Sequence, residues 1–227
     1  MANLTQERRV VVITGANRGI GLALAGYYRS RGEHVYGVCR KASAALRALD
    51  ISLIEGVDVT AADGMRALED GLKGVSIDLL INNAGILRDD RLGSIDEVSV
   101  RRQFEVNALA PLMITEALRN RLAPEAKVAM ITSRMGSIDD NGSGGYYGYR
   151  MSKAALNMAA KSLALDLRPE GITVVILHPG MVSTDMIGGR GDVSAEVAAE
   201  RLAARIDEAA LDATGSFLHA NGEPLPW

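Results

Sequence analysis

The sequence predicts an α/β protein, a single doubly wound domain over residues 1–227 with a seven-stranded, mostly parallel sheet and helices on both faces. Three observations predict it. The strand candidates are unbroken apolar runs, as expected of strands covered on both faces. They alternate with helical patterns along the whole chain, as successive βα units do. No linker-like, repeated or low-complexity stretch divides the 227 residues, which are enough for one sizeable core.

The first strand starts at Val10, where Val10, Val11, Val12 and Ile13 are all β-branched. Gly15, Gly19 and Gly21 then carry the chain through a tight turn into a helix that begins near Gly19 and is stopped by Gly32. Residues 34–39 read as the second strand and 52–57 as the third, ending in Asp58-Val59-Thr60. A helix over 61–72 leads to strand four, 77–81, which runs into Asn82-Asn83-Ala84-Gly85. Residues 94–121 hold two helical patterns that meet near Asn107, and 127–132 is strand five. A long helix over 151–167 is closed by Pro169 and Gly171. Strand six, 172–177, an Ala-rich helix over 195–211 and a short strand at 216–218 complete the chain.

Composition narrows the function. The net charge of -3 comes with no basic stripe, which argues against nucleic acid as a partner. The N-terminal stretch has no signal-peptide core and no apolar run spans a membrane, so a cytoplasmic location is expected. Cys39, alone and in an apolar strand, reads as a small core residue. His34, His178 and His219 are dispersed without metal-ligand spacing, and no metal is expected.

In a doubly wound sheet the ligand crevice lies beyond the carboxyl ends of the strands, at the switch point beside strand one. A glycine turn opening a helix there can receive a diphosphate on unpaired N–H groups, although Gly15, Gly19 and Gly21 depart from the G-x-G-x-x-G spacing. After strand two an acidic residue would favour a free ribose 2′-hydroxyl; this chain has Arg40 and Lys41 instead, with Arg18 in the turn. Both features favour NADP(H) over NAD(H), the alternative being solvated loop charges. Asp58 is a candidate partner for the adenine amino group, or an ordinary turn residue. Ser133 follows strand five. Further on, Tyr149 and Lys153 lie one helical turn apart on one face, where an ammonium can favour the ionised phenol. Such a pair can donate or accept a proton that either group alone handles badly. A surface pair is the plainer reading of those two residues taken alone.

Thr14-Gly15-Ala16-Asn17-Arg18-Gly19-Ile20-Gly21, Asn82-Asn83-Ala84-Gly85, Asn107, Ser133, Tyr149 with Lys153, and Pro179-Gly180-Met181-Val182-Ser183-Thr184 together resemble the motif series of the short-chain dehydrogenase/reductase family. The 133–137 and 145–149 stretches and the terminal Gly222 to Trp227 resemble the branch holding C-factor and sniffer-type carbonyl reductases. The resemblance implies a Rossmann fold and NADPH-dependent reduction of a carbonyl. It implies Tyr149 as general acid, Lys153 lowering its pKa and holding the nicotinamide ribose, Ser133 bonding the carbonyl oxygen, and Asn107 breaking its helix to hold a relay water. It also implies cofactor contacts from Gly15, Asn17, Arg18, Gly19, Ile20, Gly21, Arg40, Asp58, Val59, Asn83, Ala84, Gly85, Pro179, Gly180, Val182 and Thr184. The interval from Ser133 to Tyr149 is longer than is usual in the family, and Tyr146, Tyr147 and Tyr149 crowd together; counting back from Lys153 selects Tyr149.

Loops 134–148 and 185–194 are expected to shape the pocket for a small or medium carbonyl substrate, the second as a glycine-rich lid. The helix after Tyr149 is apolar around most of its circumference, which predicts a homodimer or homotetramer. The alternative function is a dinucleotide-binding sensor or signalling protein of the same fold with little turnover.

Overall fold

In the computed structural model, residues 8–227 are described. Residues 1–7, where a signal-peptide core is not expected, lie outside the described residues. The chain runs β1 (Val10–Thr14), α1 (Gly19–Ser30), β2 (His34–Val38), α2 (Ala44–Arg47), β3 (Ser52–Ile54), α3 (Ala62–Gly71), β4 (Ile77–Asn82), α4 (Glu97–Phe104), α5 (Ala110–Leu118), β5 (Leu122–Ile131), α6 (Tyr147–Leu167), β6 (Thr173–His178), α7 (Ala195–Glu208) and β7 (Phe217–His219). No helix among the described residues is long and apolar enough to cross a membrane.

The strands form one sheet in the order β3-β2-β1-β4-β5-β6-β7, and every adjacent pair is parallel. The sheet is thus wholly rather than mostly parallel, since a helix stands in each connection between successive strands. Alternate residues face opposite layers. Val12, Leu80, Val128, Met130, Val174 and Ile176 pack under α3, α5 and α6, whereas Val11, Ile13, Leu79, Ile81, Val175 and Leu177 pack under α1 and α7. With both layers closed the central strands β1 and β4 have almost no wet side, which is why they read as unbroken apolar runs.

Several boundaries differ from the sequence-based expectation. The third strand stops at Ile54 because Gly56, with φ of 78°, turns the chain there. The fifth begins at Leu122, earlier than expected, and a register irregularity opposite Ile77 and Leu79 absorbs the poorly β-forming Pro124 and Glu125. Helix α6 begins at Tyr147 rather than at residue 151. The one-turn α2, capped by the Ser43 hydroxyl on Leu46 N–H at 3.1 Å, is too short to show periodicity and has no counterpart in the sequence-based expectation.

Parallel pairing of β6 with β7 sets His178 beside His219, so two histidines far apart in sequence meet with ring centres 5.0 Å apart. His178 is buried on the α6 side of the sheet, and its Nδ1 has no partner. Burial first, then the charges of His219, Arg134 and Lys153 against the opposing pull of Asp140, push its pKa down to about 3. An unfolded histidine protonates near pH ~6.5, so the folded state binds fewer protons between about pH 6.5 and pH 3. Stability is therefore fully present above pH ~6.5 and is lost as pH falls through that window. Thermal midpoints measured from pH 7 to pH 4 are expected to fall less steeply for His178→Gln than for the unaltered protein; parallel slopes would refute this.

Candidate active site

At the carboxyl edge of the sheet the turn after β1 lies against the loop after β4. Thr14 Oγ1 accepts from the Asn83 and Ala84 N–H groups, each at 3.1 Å, and Asn83 Nδ2 donates to the Thr14 and Gly15 carbonyls at 3.0 and 3.2 Å. A Cβ on Gly15 would stand 2.8 Å from Ala84 Cα, and one on Gly21 would stand 2.2 Å from the Gly15 oxygen. Glycine at these positions follows from backbone proximity. Gly19, with φ of 53°, lies next to the Thr184 methyl group.

Helix α1 starts directly behind this turn, with no side-chain cap from Arg18 and no acidic residue in its first turn. Helices α4 and α7, by contrast, are capped by Asp96 and Ser194. The first amides of α1 are left for an anion, and the helix dipole favours one there. Asn17 is tied down by Ser43, whose N–H and hydroxyl bond its side-chain and main-chain oxygens at 2.5 and 2.9 Å. Ser43 in turn fixes the segment carrying Arg40 and Lys41, both exposed. Across from them, Glu55 is engaged by Arg47 and the Ala42 N–H. Arg18 does not join Arg40; it reaches over the cleft to Asp185 at 3.3 Å. The Asp58 carboxylate holds the Thr60 N–H and hydroxyl and faces Arg102 at 3.2 Å, and these contacts keep its pKa low. Val59 follows it, partly buried.

The helical patterns on either side of Asn107 are joined by a π turn, Glu105–Leu109, so the break falls where the sequence placed it. Asn107 is fully buried. Its Oδ1 accepts from Ile86 N–H at 2.8 Å, and its Nδ2 donates to the Ile86 carbonyl and to Ser152 Oγ at 2.8 and 3.0 Å. Both ends of the amide are thus engaged in joining the loop after β4 to α6.

Ser133, Tyr149 and Lys153 are all buried. Lys153 Nζ donates to the Ile131 carbonyl at 2.9 Å and stands 5.8 Å from the centre of the Tyr149 ring. Ser133 draws the phenol pKa down, and its own hydroxyl accepts from Met135 N–H at 3.1 Å. Burial raises the Tyr149 pKa to about 12, with Ser133 pulling the other way, and burial lowers Lys153 to about 8. The ammonium of Lys153, expected to lower the phenol, is not among the groups that shift it, and desolvation sets the direction. At neutral pH the phenol carries its proton and the lysine is still mostly charged, a state suited to giving a proton away. Of the three neighbouring tyrosines only Tyr149 is buried.

After β6, Pro179 and Gly180 lead into a loop that folds back on itself. Ser183 N–H donates to Val193 O at 2.8 Å, Asp192 N–H to Met181 O at 2.7 Å and Gly189 N–H to Thr184 O at 2.9 Å, while Val182 is buried beneath. Gly191 is needed there, since a Cβ would stand 2.1 Å from Ser183 N. The other expected pocket loop is held by the C-terminal segment: the Trp227 main-chain oxygen accepts from Ser137 Oγ at 3.1 Å and Asp139 N–H at 2.9 Å. No periodicity marks that contact; its one trace in the sequence is the terminal aromatic, which packs on Phe217.

A family model described as short chain dehydrogenase matches residues 9–194. The chain belongs to the short chain dehydrogenase family. The chain is 41% identical over 223 residues, covering 96% of this chain and 99% of the relative, to 1-hydroxy-2-glutathionyl-2-methyl-3-butene dehydrogenase of Rhodococcus sp. strain AD45. It is 43% identical over 166 residues, 72% of this chain and 100% of the relative, to the C-signal protein of Myxococcus xanthus. Among solved structures it resembles the NADPH-bound carbonyl reductase from chicken fatty liver, with a TM-score of 0.88 and 28% identity over 97% of this chain and 99% of that one.

Proposed function

We propose that this short chain dehydrogenase is an NADPH-dependent carbonyl reductase that turns an aldehyde or ketone into an alcohol. The observation that carries the reading is the burial of Ser133, Tyr149 and Lys153 together beside a glycine turn whose helix start is uncapped. The residues present fit NADP(H). The free amides of α1 would hold the diphosphate, and the exposed Arg40 and Lys41 would take the 2′-phosphate. Asp58 and Val59 would lie toward the adenine, with Asn83, Ala84 and Gly85 along the cofactor and Pro179, Gly180, Val182 and Thr184 beside the nicotinamide. Support comes from the chicken relative, which is NADPH-bound. Bound NADPH supplies the hydride.

Ser133 orients the carbonyl oxygen, where negative charge develops. Tyr149 gives its proton to that oxygen, since the phenol is neutral at pH 7 and holds the proton the reaction needs. Lys153, anchored on Ile131, holds the ribose and offers a replacement proton, and Asn107 keeps Gly85 and Ile86 against α6. The 43% identity to C-signal favours a second reading, a signalling protein that binds dinucleotide with little turnover.

Exposed Met151, Met158 and Leu165 recur at seven-residue intervals along α6, and Phe104, Leu109 and Met113 are exposed on the neighbouring α4–α5 segment. Such a stripe suits the same surface of a second copy, so the protein is read as a homo-oligomer.

Three outcomes test these readings. With a panel of aldehydes, ketones, quinones and glutathione conjugates, NADPH is consumed, and Tyr149→Phe lowers kcat by about 10²- to 10⁴-fold while still binding NADPH; binding without consumption in the unaltered protein would favour the signalling reading. Arg40→Asp shifts the kcat/KM ratio toward NADH by at least about tenfold, the scale of one lost bond to a charged group at roughly 1.5–3 kcal/mol; equal use of both cofactors before mutation would count against the assignment. Sedimentation at micromolar concentration gives a dimer or larger species that Met158→Glu dissociates, and a monomeric parent would remove the oligomer from the account.

A further inference from the structure

The catalytic helix has no cap of its own. Tyr146 occupies the N-cap position with φ of 52°, the left-handed region, and its side chain makes no capping bond. Gly144 and Gly145 before it are also left-handed, each with φ of 63°. A chain arriving this way leaves the first amides of α6 without local partners, in a conformation that is strained for a non-glycine residue.

The partner comes from 57 residues upstream. Asp90 lies in the loop after β4 and is only 4% exposed. Its Oδ1 accepts from Tyr147 N–H at 2.5 Å, its Oδ2 from Gly148 N–H at 3.1 Å, and its main-chain oxygen from Tyr146 N–H at 2.9 Å. Three successive amides at the start of the helix therefore close on one residue. Bonds of this charge-assisted kind at the positive end of a helix offset the cost of burying the carboxylate.

Room for that carboxylate exists because residue 148 is glycine. A Cβ there would stand 2.5 Å from Gln103 Nε2, 3.1 Å from Val100 Cα and 3.2 Å from Asp90 Oδ2. Gln103 also accepts from Arg88 N–H at 2.9 Å, fixing the loop two residues before Asp90. The loop is thus fastened at Asn83 and Ala84 to the glycine turn, at Ile86 to Asn107, at Arg88 to Gln103 and at Asp90 to α6. Tyr149 is the residue immediately after the clasp.

We propose that Asp90 is a positioning residue for the reaction, clasping the start of α6 so that the Tyr149 phenol is held at a set height and rotation relative to the 83–85 loop. This rests on the reductase reading, in which those two elements flank the reacting carbonyl. Misplacement by about 1 Å can cost on the order of 10²-fold in rate without touching binding. Asp90 touches neither substrate nor cofactor in this assignment, so its removal acts on kcat and leaves NADPH affinity alone.

The test uses Asp90→Asn, which keeps the shape but turns a donor toward an N–H group, and Asp90→Ala; should Asp90→Ala fail to fold, Asp90→Asn carries the test alone. Amide hydrogen exchange without cofactor is expected to quicken at 146–150 while the rest of α6 keeps its protection. With NADPH and the best carbonyl of the panel, kcat is expected to fall at least about tenfold, with the NADPH Kd within about twofold of the parent. Gly148→Ala, which crowds the carboxylate, is expected to give the same split. Unchanged exchange at 146–150, or quickened exchange with full kcat, overturns the proposal. Parallel loss of Kd, kcat and protection along the whole helix also overturns it, since that marks a role in folding only. A parent that reduces no carbonyl defeats the reductase reading instead, and the exchange result still decides whether the clasp exists.

Discussion

The carboxyl edge of the sheet depends on how closely the backbone after β1 approaches the backbone after β4. That approach leaves no volume for a side chain at Gly15 or Gly21, and Thr14 and Asn83 hold it with reciprocal bonds between the two loops. Because β1 and β4 are neighbours at the point where the strand order reverses, the crevice opens here and not at another strand end. The uncapped start of α1, the loop carrying Gly85 and the π turn holding Asn107 all take their places from that contact.

The second determinant is the dryness of the site. Burial alone drives Tyr149 and Lys153 toward their neutral forms, one upward and one downward, and no carboxylate is among the causes that shift either group. The two groups therefore stand with a phenol that holds its proton and an amine near the threshold of releasing one. In the reductase reading proposed above, that arrangement has a proton ready for a substrate oxygen at neutral pH. Ser133, bonded to the Met135 N–H at 3.1 Å, is the polar neighbour that moderates the phenol.

Much of this is legible in the chain. Apolar runs place the strands because both faces of the sheet are covered, and the spacing of Tyr149 and Lys153 singles out the buried tyrosine from its two neighbours. The interruption near Asn107 is likewise readable from two helical patterns that meet there. Contacts that join distant segments are not. Asp90 carries no local signature, since a loop aspartate looks the same whether it faces water or closes a helix 57 residues away. The start of α6 escapes the sequence for the same reason: its first turn depends on that remote carboxylate. Arg18 is read by its charge alone, yet its position lets it meet Asp185 across the cleft. The hold of Trp227 on Ser137 and Asp139 depends on where the last strand delivers the chain.

The π turn at Glu105–Leu109 has a consequence for how this region tolerates change. A π turn takes up one more residue than the α-helical turn it replaces, and each residue of an α-helix advances by about 100°. Removing one residue of this stretch other than Asn107 would let the helix regularise and swing Asn107 away from Ile86 and Ser152, although Asn107 itself is kept. Segment length, as much as composition, is thus what keeps the loop after β4 in register with α6.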